Sequence, residues 1–311
     1  MLRRLPFSVM LLASCLALTV AASGCGSKKG PVTIAERLQQ AKRLPTAEGR
    51  AGELARVAAL RAKAKDKKGA EQTLGEAIAE LPEAGQPLVC VPILLEIAEI
   101  YADIGQKTAG RKAVEAALKL AATMEDAKGR SSLLAQIGVV QGSRDGGLGG
   151  AKAAKKSLDE AAQLAENDVA ERFRGEALAA VAMGYADAGL AADAQEITGT
   201  LVELAEGLEN LRTKAEAFAA AAAVRAAGGD KAAAAGLLEK AAVAAKGIND
   251  FPTNRVYALV AVAKALVANG DVKGALVLLA DAEKSASKVA DPEQQKAAIK
   301  TVRVLQAKLE K

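Results

Sequence analysis

One register of small and large apolar residues recurs six times along the chain and leaves little freedom in what the chain can become. Small side chains stand at Ala58, Ala98, Gly138, Ala182, Ala222 and Ala263, at steps of 40, 40, 44, 40 and 41 residues. Four residues ahead of them come Leu54, Leu94, Leu134, Leu178, Phe218 and Leu259, and one residue ahead come Val57, Ile97, Ile137, Val181, Ala221 and Val262. A second small set follows at Ala70, Gly110, Ala154, Ala194, Ala234 and Ala275. Spacings of three and four residues on both sides of each break are those of an apolar helix stripe. The clearest copy runs from Leu259 to Ala282 and is broken at Asn269-Gly270-Asp271. Gly270 suits the left-handed position that ends a helix, and Asp271 is placed to cap the next one. Each copy therefore reads as a helical hairpin whose small residues let the two helices approach closely.

The four additional residues of the third copy fall in its turn, around Gly146-Gly147-Leu148-Gly149-Gly150, which reads as a flexible insertion. The hairpins are placed at about 51–90, 91–130, 131–174, 175–214, 215–255 and 256–290. Val32 to Leu44, stopped by Pro45, is expected to be an N-terminal capping helix, and about 292–309 a C-terminal one. Asp126, Asp168, Asp250 and Asp291 stand ahead of helices as candidate N-caps, and Asp291-Pro292-Glu293-Gln294 matches a capping box with proline at the first helical position. No segment shows the strict alternation of a strand, so residues 32–311 read as one all-α domain.

The series Leu259, Val262, Ala263, Leu266, Gly270, Ala275, Leu279, Ala282 resembles the tetratricopeptide repeat signature, with Ala263 as its eighth position. The resemblance covers about residues 51–290 and implies a right-handed α-solenoid of about six TPR-like hairpins with capping helices at both ends. Tyr101 and Tyr185 fall where that family often places a core tyrosine. The period here exceeds the family's roughly 34 residues, no Trp marks the first large position, and the closing proline is absent; longer second helices are expected to absorb the difference. In this family peptides lie along the face formed by the first helices. Its offsets transfer to Leu95, Glu99, Asp103, Glu176, Met183, Asp187, Tyr257, Val260 and Lys264 as a partner groove, acidic in its middle.

At the start of the chain, Arg3 and Arg4 precede an apolar run from about Leu5 to Ala22, and Ala22-Ser23-Gly24 leads into Cys25. This reads as an export signal, and its ending is similar to the lipobox of bacterial lipoproteins. The resemblance implies a signal peptide at 1–24, acylation of Cys25, and a short tether through residue 31 that spans roughly 20 Å. The implied address is the cell envelope, on the outer membrane and facing the periplasm. With residues 1–24 removed, 40 basic residues face 37 acidic ones, close to balance, whereas nucleic-acid binding wants a clustered basic face. Cys15 leaves with the signal and Cys25 takes the lipid. Cys90, in apolar surroundings, then remains as a buried, inert thiol.

The chain contains no His and no Trp, which removes imidazole bases and His-containing zinc sites or triads. No catalytic residue, metal or cofactor is therefore expected. The reading is a membrane-anchored scaffold or adaptor that binds other envelope proteins or peptides. A periplasmic ligand- or peptide-binding lipoprotein is the alternative, and a helical-toroid enzyme a distant third. The glycine run followed by Lys152, Lys155 and Lys156 offers an anion cradle, but no strand precedes it and no Gly-Lys-Ser/Thr follows.

Overall fold

The computed structural model describes residues 32–82, 85–142 and 148–310; the signal, Cys25 and the tether lie outside them. Among the described residues there are fourteen α-helices and no strand. A short helix, α1 (Ile34–Lys42), precedes six hairpins: α2 (Ala47–Lys63) with α3 (Lys67–Glu80), α4 (Pro87–Asp103) with α5 (Lys107–Ala122), and α6 (Ala127–Gly142) with α7 (Gly150–Asn167), then α8 (Glu171–Asp187) with α9 (Ala191–Gly207), α10 (Leu211–Ala227) with α11 (Lys231–Lys246), and α12 (Pro252–Asn269) with α13 (Val272–Ala286). A final helix, α14 (Pro292–Leu309), closes the chain. The fold is an all-α solenoid of TPR-like hairpins.

The recurring register is the core. Ala58, Ala98, Ala182, Ala222 and Ala263 on the first helices are buried, as are Ala70, Ala154, Ala194, Ala234 and Ala275 on the second. Leu54, Leu94, Leu134, Leu178, Phe218 and Leu259 fill the space beside them. Where glycine replaces alanine, the approach is tighter still. A Cβ on Gly110 would lie 2.9 Å from the carbonyl oxygen of Ala98 and 2.7 Å from Leu148, and one on Gly138 would lie 2.6 Å from Leu158. Leu148, buried against Gly110, thus anchors the end of the insertion on α5, where its glycines alone read as flexible. Tyr101, Tyr185 and Cys90 are also buried. Burial, and then the charge of Glu48, push the Cys90 thiol pKa up and hold it protonated.

The turns share one device. Asp66, Gln106, Leu190, Asp230 and Asp271 each donate a backbone N–H to the carbonyl five residues back. The residue before each of them has positive φ: Lys65, Gly105, Gly189, Gly229 and Gly270. This is the closure that ends a helix on a left-handed residue. Asp66, Asp230 and Asp271 then cap the second helices by accepting from Gly69, Ala233 and Gly274.

The first helices begin at residues 47, 87, 127, 171, 211 and 252, four residues earlier than the apolar pattern places them. Part of the period's excess over the family thus lies ahead of the signature, on the first helices, and not in longer second helices alone. The additional turn carries no core stripe, so periodicity is silent there. Helix α14 starts 40 residues after α12 and buries Ala298 and Val302. The C-terminal cap is thus built like the first helix of another hairpin. Two of the four expected caps form: Asp126 accepts from Gly129 N–H and Asp291 from Gln294 N–H. Asp250 does not occupy its expected place, because Phe251 is the N-cap of α12 and Pro252 starts the helix. Asp168 lies three residues ahead of α8, and its own N–H closes on Leu164 at the end of α7. An unexpected capping box joins Thr33 and Glu36 at α1.

Close contacts group the described residues into two compact units, those up to residue 161 with 187–189, and residues 162–186 with 190–310. In the first, α2 packs on α4 and α4 on α6; in the second, α10 packs on α12 and α12 on α14. Each unit therefore stacks its first helices side by side.

Two substitutions test this account. Lys65 has φ +64 where the other turns use glycine, so Lys65→Gly is expected to stabilise the protein by about 1 kcal/mol, seen as a higher Tm. Gly110→Ala forces a methyl against the Ala98 backbone and is expected to cost about 1–3 kcal/mol in urea unfolding.

Candidate functional site

The nine groove residues separate into surface and floor. On α4, Glu99 and Asp103 are exposed while Leu95 is 5 % exposed and belongs to the core. On α12, Lys264 is exposed, Tyr257 is half-buried and Val260 is 4 % exposed. Leu95 and Val260 therefore belong to the packing between helices and offer a partner almost no surface. On α8, Glu176 is exposed, and Met183 and Asp187 are half-buried. The structure brings Leu95, Glu99 and Asp103 together on one helix and Tyr257, Val260 and Lys264 together on another.

Glu99 has an unusual environment. Its side chain reaches solvent, yet desolvation by the surrounding protein is the largest cause raising its pKa, followed by the charges of Asp103 and Glu96. Glu96, one turn earlier, is half-buried, and its pKa is also raised, by desolvation first. Arg56 opposes that rise and Glu53 adds to it, although Arg56 is itself bound to Glu53 at 2.9 Å. Glu96, Glu99 and Asp103 thus follow one another along α4, and desolvation disfavours the charge of the first two.

On the second unit the corresponding face carries a cluster around Arg212. Its Nε donates to Glu216 at 2.9 Å, Nη1 donates to Asn254 at 3.2 Å, and the guanidinium lies 5.2 Å from the Tyr257 ring centre. Arg212 lies in the additional first turn that sequence periodicity leaves unassigned. Glu216 stands at the same repeat offset as Glu176 and Tyr257, which is the signal that could have found it.

A second set of missed residues repeats through the whole array. Eight positions before the small residue of each first helix stand Arg50, Cys90, Arg130, Arg174, Lys214 and Arg255. Four of the basic ones reach back to the end of the preceding helix. Arg50 donates to the carbonyls of Leu44 and Pro45, Arg174 to Val169, Lys214 to Glu206, and Arg255 to Lys246 and Ile248. Gln295 does the same in α14, toward Ser287 and Val289. Three of the basic residues pair forward with an acid on the second helix: Arg50 with Glu80, Arg130 with Glu160, and Arg255 with Asp281. A helix C-terminus leaves carbonyls without partners and carries partial negative charge, so a cation there satisfies both.

An open cavity of about 550 Å³ lies between α5 and the start of α7, lined by residues that include Arg111, Glu115, Gln141 and Leu148. Arg111 and Glu115 stand one turn apart on an exposed face of α5, and Gln141 is engaged by Ser157 at 2.8 Å. Among the described residues no three His, Cys, Asp or Glu side chains come together as metal ligands, and no helix is long and apolar enough to cross a membrane.

No protein-family model matches the chain, and no curated protein matches it. Among solved structures it is similar to a putative kinesin light chain with TPR-like repeats from Podosopora anserina, at 20 % identity over 65 % of this chain and 97 % of that one, TM-score 0.36. It is also similar to BtubC from P. vanneervenii, at 16 % identity over 83 % and 92 % of the two chains, TM-score 0.33. A third similarity is to Acl4, an assembly chaperone of RpL4, at 16 % identity over 84 % and 98 %, TM-score 0.32. At these identities and scores, the fold assignment rests on the helix register of this chain.

The folded-state pKa of Glu99 lies above its unfolded value. Its charge therefore costs stability, a cost absent below the ordinary carboxylate range and growing as pH rises through the raised value. Glu99→Gln is expected to raise Tm at neutral pH and to leave it unchanged in acid; melts across pH check this, and a variant less stable than wild type at neutral pH would contradict it.

Proposed function

We propose that the protein is a lipid-anchored scaffold of the bacterial cell envelope, held on the membrane through Cys25, that binds a basic segment of another envelope protein along its first helices. The observation that carries the binding half is the crowded acidic face of α4, where Glu96 and Glu99 are charged at a cost. A cationic partner relieves that cost, and complementary charge gives such a surface its specificity and association rate. The anchoring half is supported by the sequence around Cys25, with an apolar run before it and a short Gly-Ser-Lys-Lys tether after it. An acylated N-terminus with several chains holds a protein on a bilayer almost permanently.

Two separable measurements test the reading. Mass analysis of the N-terminal peptide is expected to show a chain starting at Cys25 and carrying acyl groups, and Cys25→Ser to release the protein from the membrane fraction. Crosslinking in the native membrane, followed by mass spectrometry, is expected to link the α4 face to a basic segment, and Glu99→Lys to abolish that link. The same crosslinked partners with Glu99→Lys as with wild type would remove the assignment of this face.

A further inference from the structure

The first unit has a second charged surface, on the edge formed by the turns of its hairpins. Lys67 and Lys68 begin α3, Lys107 and Lys112 lie in the first two turns of α5, and Lys152 and Lys156 in the first two turns of α7; all six are exposed. None of these three helices carries an acid in its first turn, a feature shared with α11 and α13 of the other unit, whereas α9 carries Asp193 there. Cations at the positive end of a helix oppose its dipole, so folding alone does not favour this arrangement. The three helix starts are neighbours. Gln106, at the N-cap of α5, donates to Glu71 on α3 at 3.3 Å, and Leu148, two residues before α7, packs on Gly110 of α5. Of the acids nearby, Asp66 caps α3, Glu71 holds Gln106 and Asp159 pairs with Lys155, while Asp103 at the end of α4 is exposed. Lysines and helix dipoles therefore add their positive fields along one edge.

The chain outside the described residues joins the fold near this edge. Residues 43–46 connect α1 to α2, which pack on each other, and so short a connection makes neighbouring helices antiparallel. Lys42, at the end of α1, pairs with Glu76 in the second half of α3 at 2.8 Å. The start of α1, where residues 1–31 join the fold, consequently lies toward the α2–α3 turn.

We propose that this turn edge of the first unit docks on an anionic phospholipid bilayer, its lysines meeting the headgroups while residues 1–31 hold the chain on the same membrane. The proposal rests on the lipid-anchor reading for its tether and on the structure for its surface. Each basic side chain beside an anionic surface is worth about a fivefold change in affinity, and the effect fades with salt within a Debye length. Docking would fix the orientation of the array and present the α4 face away from an arbitrary tumbling position.

The test uses the full chain isolated from its membrane, floated with vesicles of phosphatidylcholine alone or mixed with phosphatidylglycerol, then acetylated at amines and read by mass spectrometry. The expected result is that the six lysines are protected on phosphatidylglycerol vesicles at low salt and released at high salt, while Lys119, at the far end of α5, reacts equally throughout. Lys67→Gln/Lys112→Gln/Lys156→Gln is expected to weaken the protection of the remaining three by about a hundredfold, with its helical circular dichroism intact. Flotation only with phosphatidylglycerol vesicles, and only at low salt, would sink the lipid anchor and keep the docking edge. Equal acetylation of a floating chain on both vesicle types would overturn the edge and keep the anchor. Flotation with neither would overturn both, and stronger protection by an added RNA than by the vesicles would overturn the lipid assignment.

Discussion

The distance between the two helices of a hairpin governs everything else in this molecule. At positions such as Ala98 and Gly110 the backbones come so close that a hydrogen or a methyl group is all that fits. Close approach fixes which residues face each other. That in turn places the large side chains, Leu54 through Leu259 in the first helices, in the spaces left beside the contact. The left-handed turn residue and the aspartate cap follow from the same geometry, since a three-residue connection must reverse the chain without separating the helices. Hairpins so made cannot cover their own apolar faces and must stack.

What joins one hairpin to the next is of a different kind. In four hairpins a basic side chain in the first turn of the first helix reaches the loose carbonyls of the helix before it, and Arg50, Arg130 and Arg255 bind an acid on the helix after. These contacts are partly exposed, and an isolated surface ion pair is worth little. Their weight comes from satisfying helix-end carbonyls at the same time.

The division between what could be read in the sequence and what could not follows from this difference. Small and large apolar residues at fixed offsets carry a period, and the six hairpins, their turns and both terminal helices are legible from it. Arg50, Arg130 and Arg255 are also periodic, but a charged residue ordinarily marks solvent, so their register passes as surface. Thr198 replaces the leucine or valine of neighbouring repeats and is nevertheless fully buried, because its hydroxyl donates to the Ala194 carbonyl inside its own helix. Offsets alone place Leu95 and Val260 in the groove beside Glu99 and Lys264, since one turn of helix separates floor from rim and only packing decides which is which. The crowding around Glu99 belongs to tertiary structure and leaves no mark in the sequence.

Cys90 interrupts the basic series. Where the other hairpins bring a cation to the joint, the second brings a thiol, fully enclosed, with Val91 and Leu94 buried beside it. At Cys90 the joint between the first two hairpins is therefore closed by apolar packing, whereas those at Arg50, Arg130 and Arg255 include charges that mobile ions weaken. A change of medium does not soften this array evenly: brine loosens some seams and spares the one at Cys90.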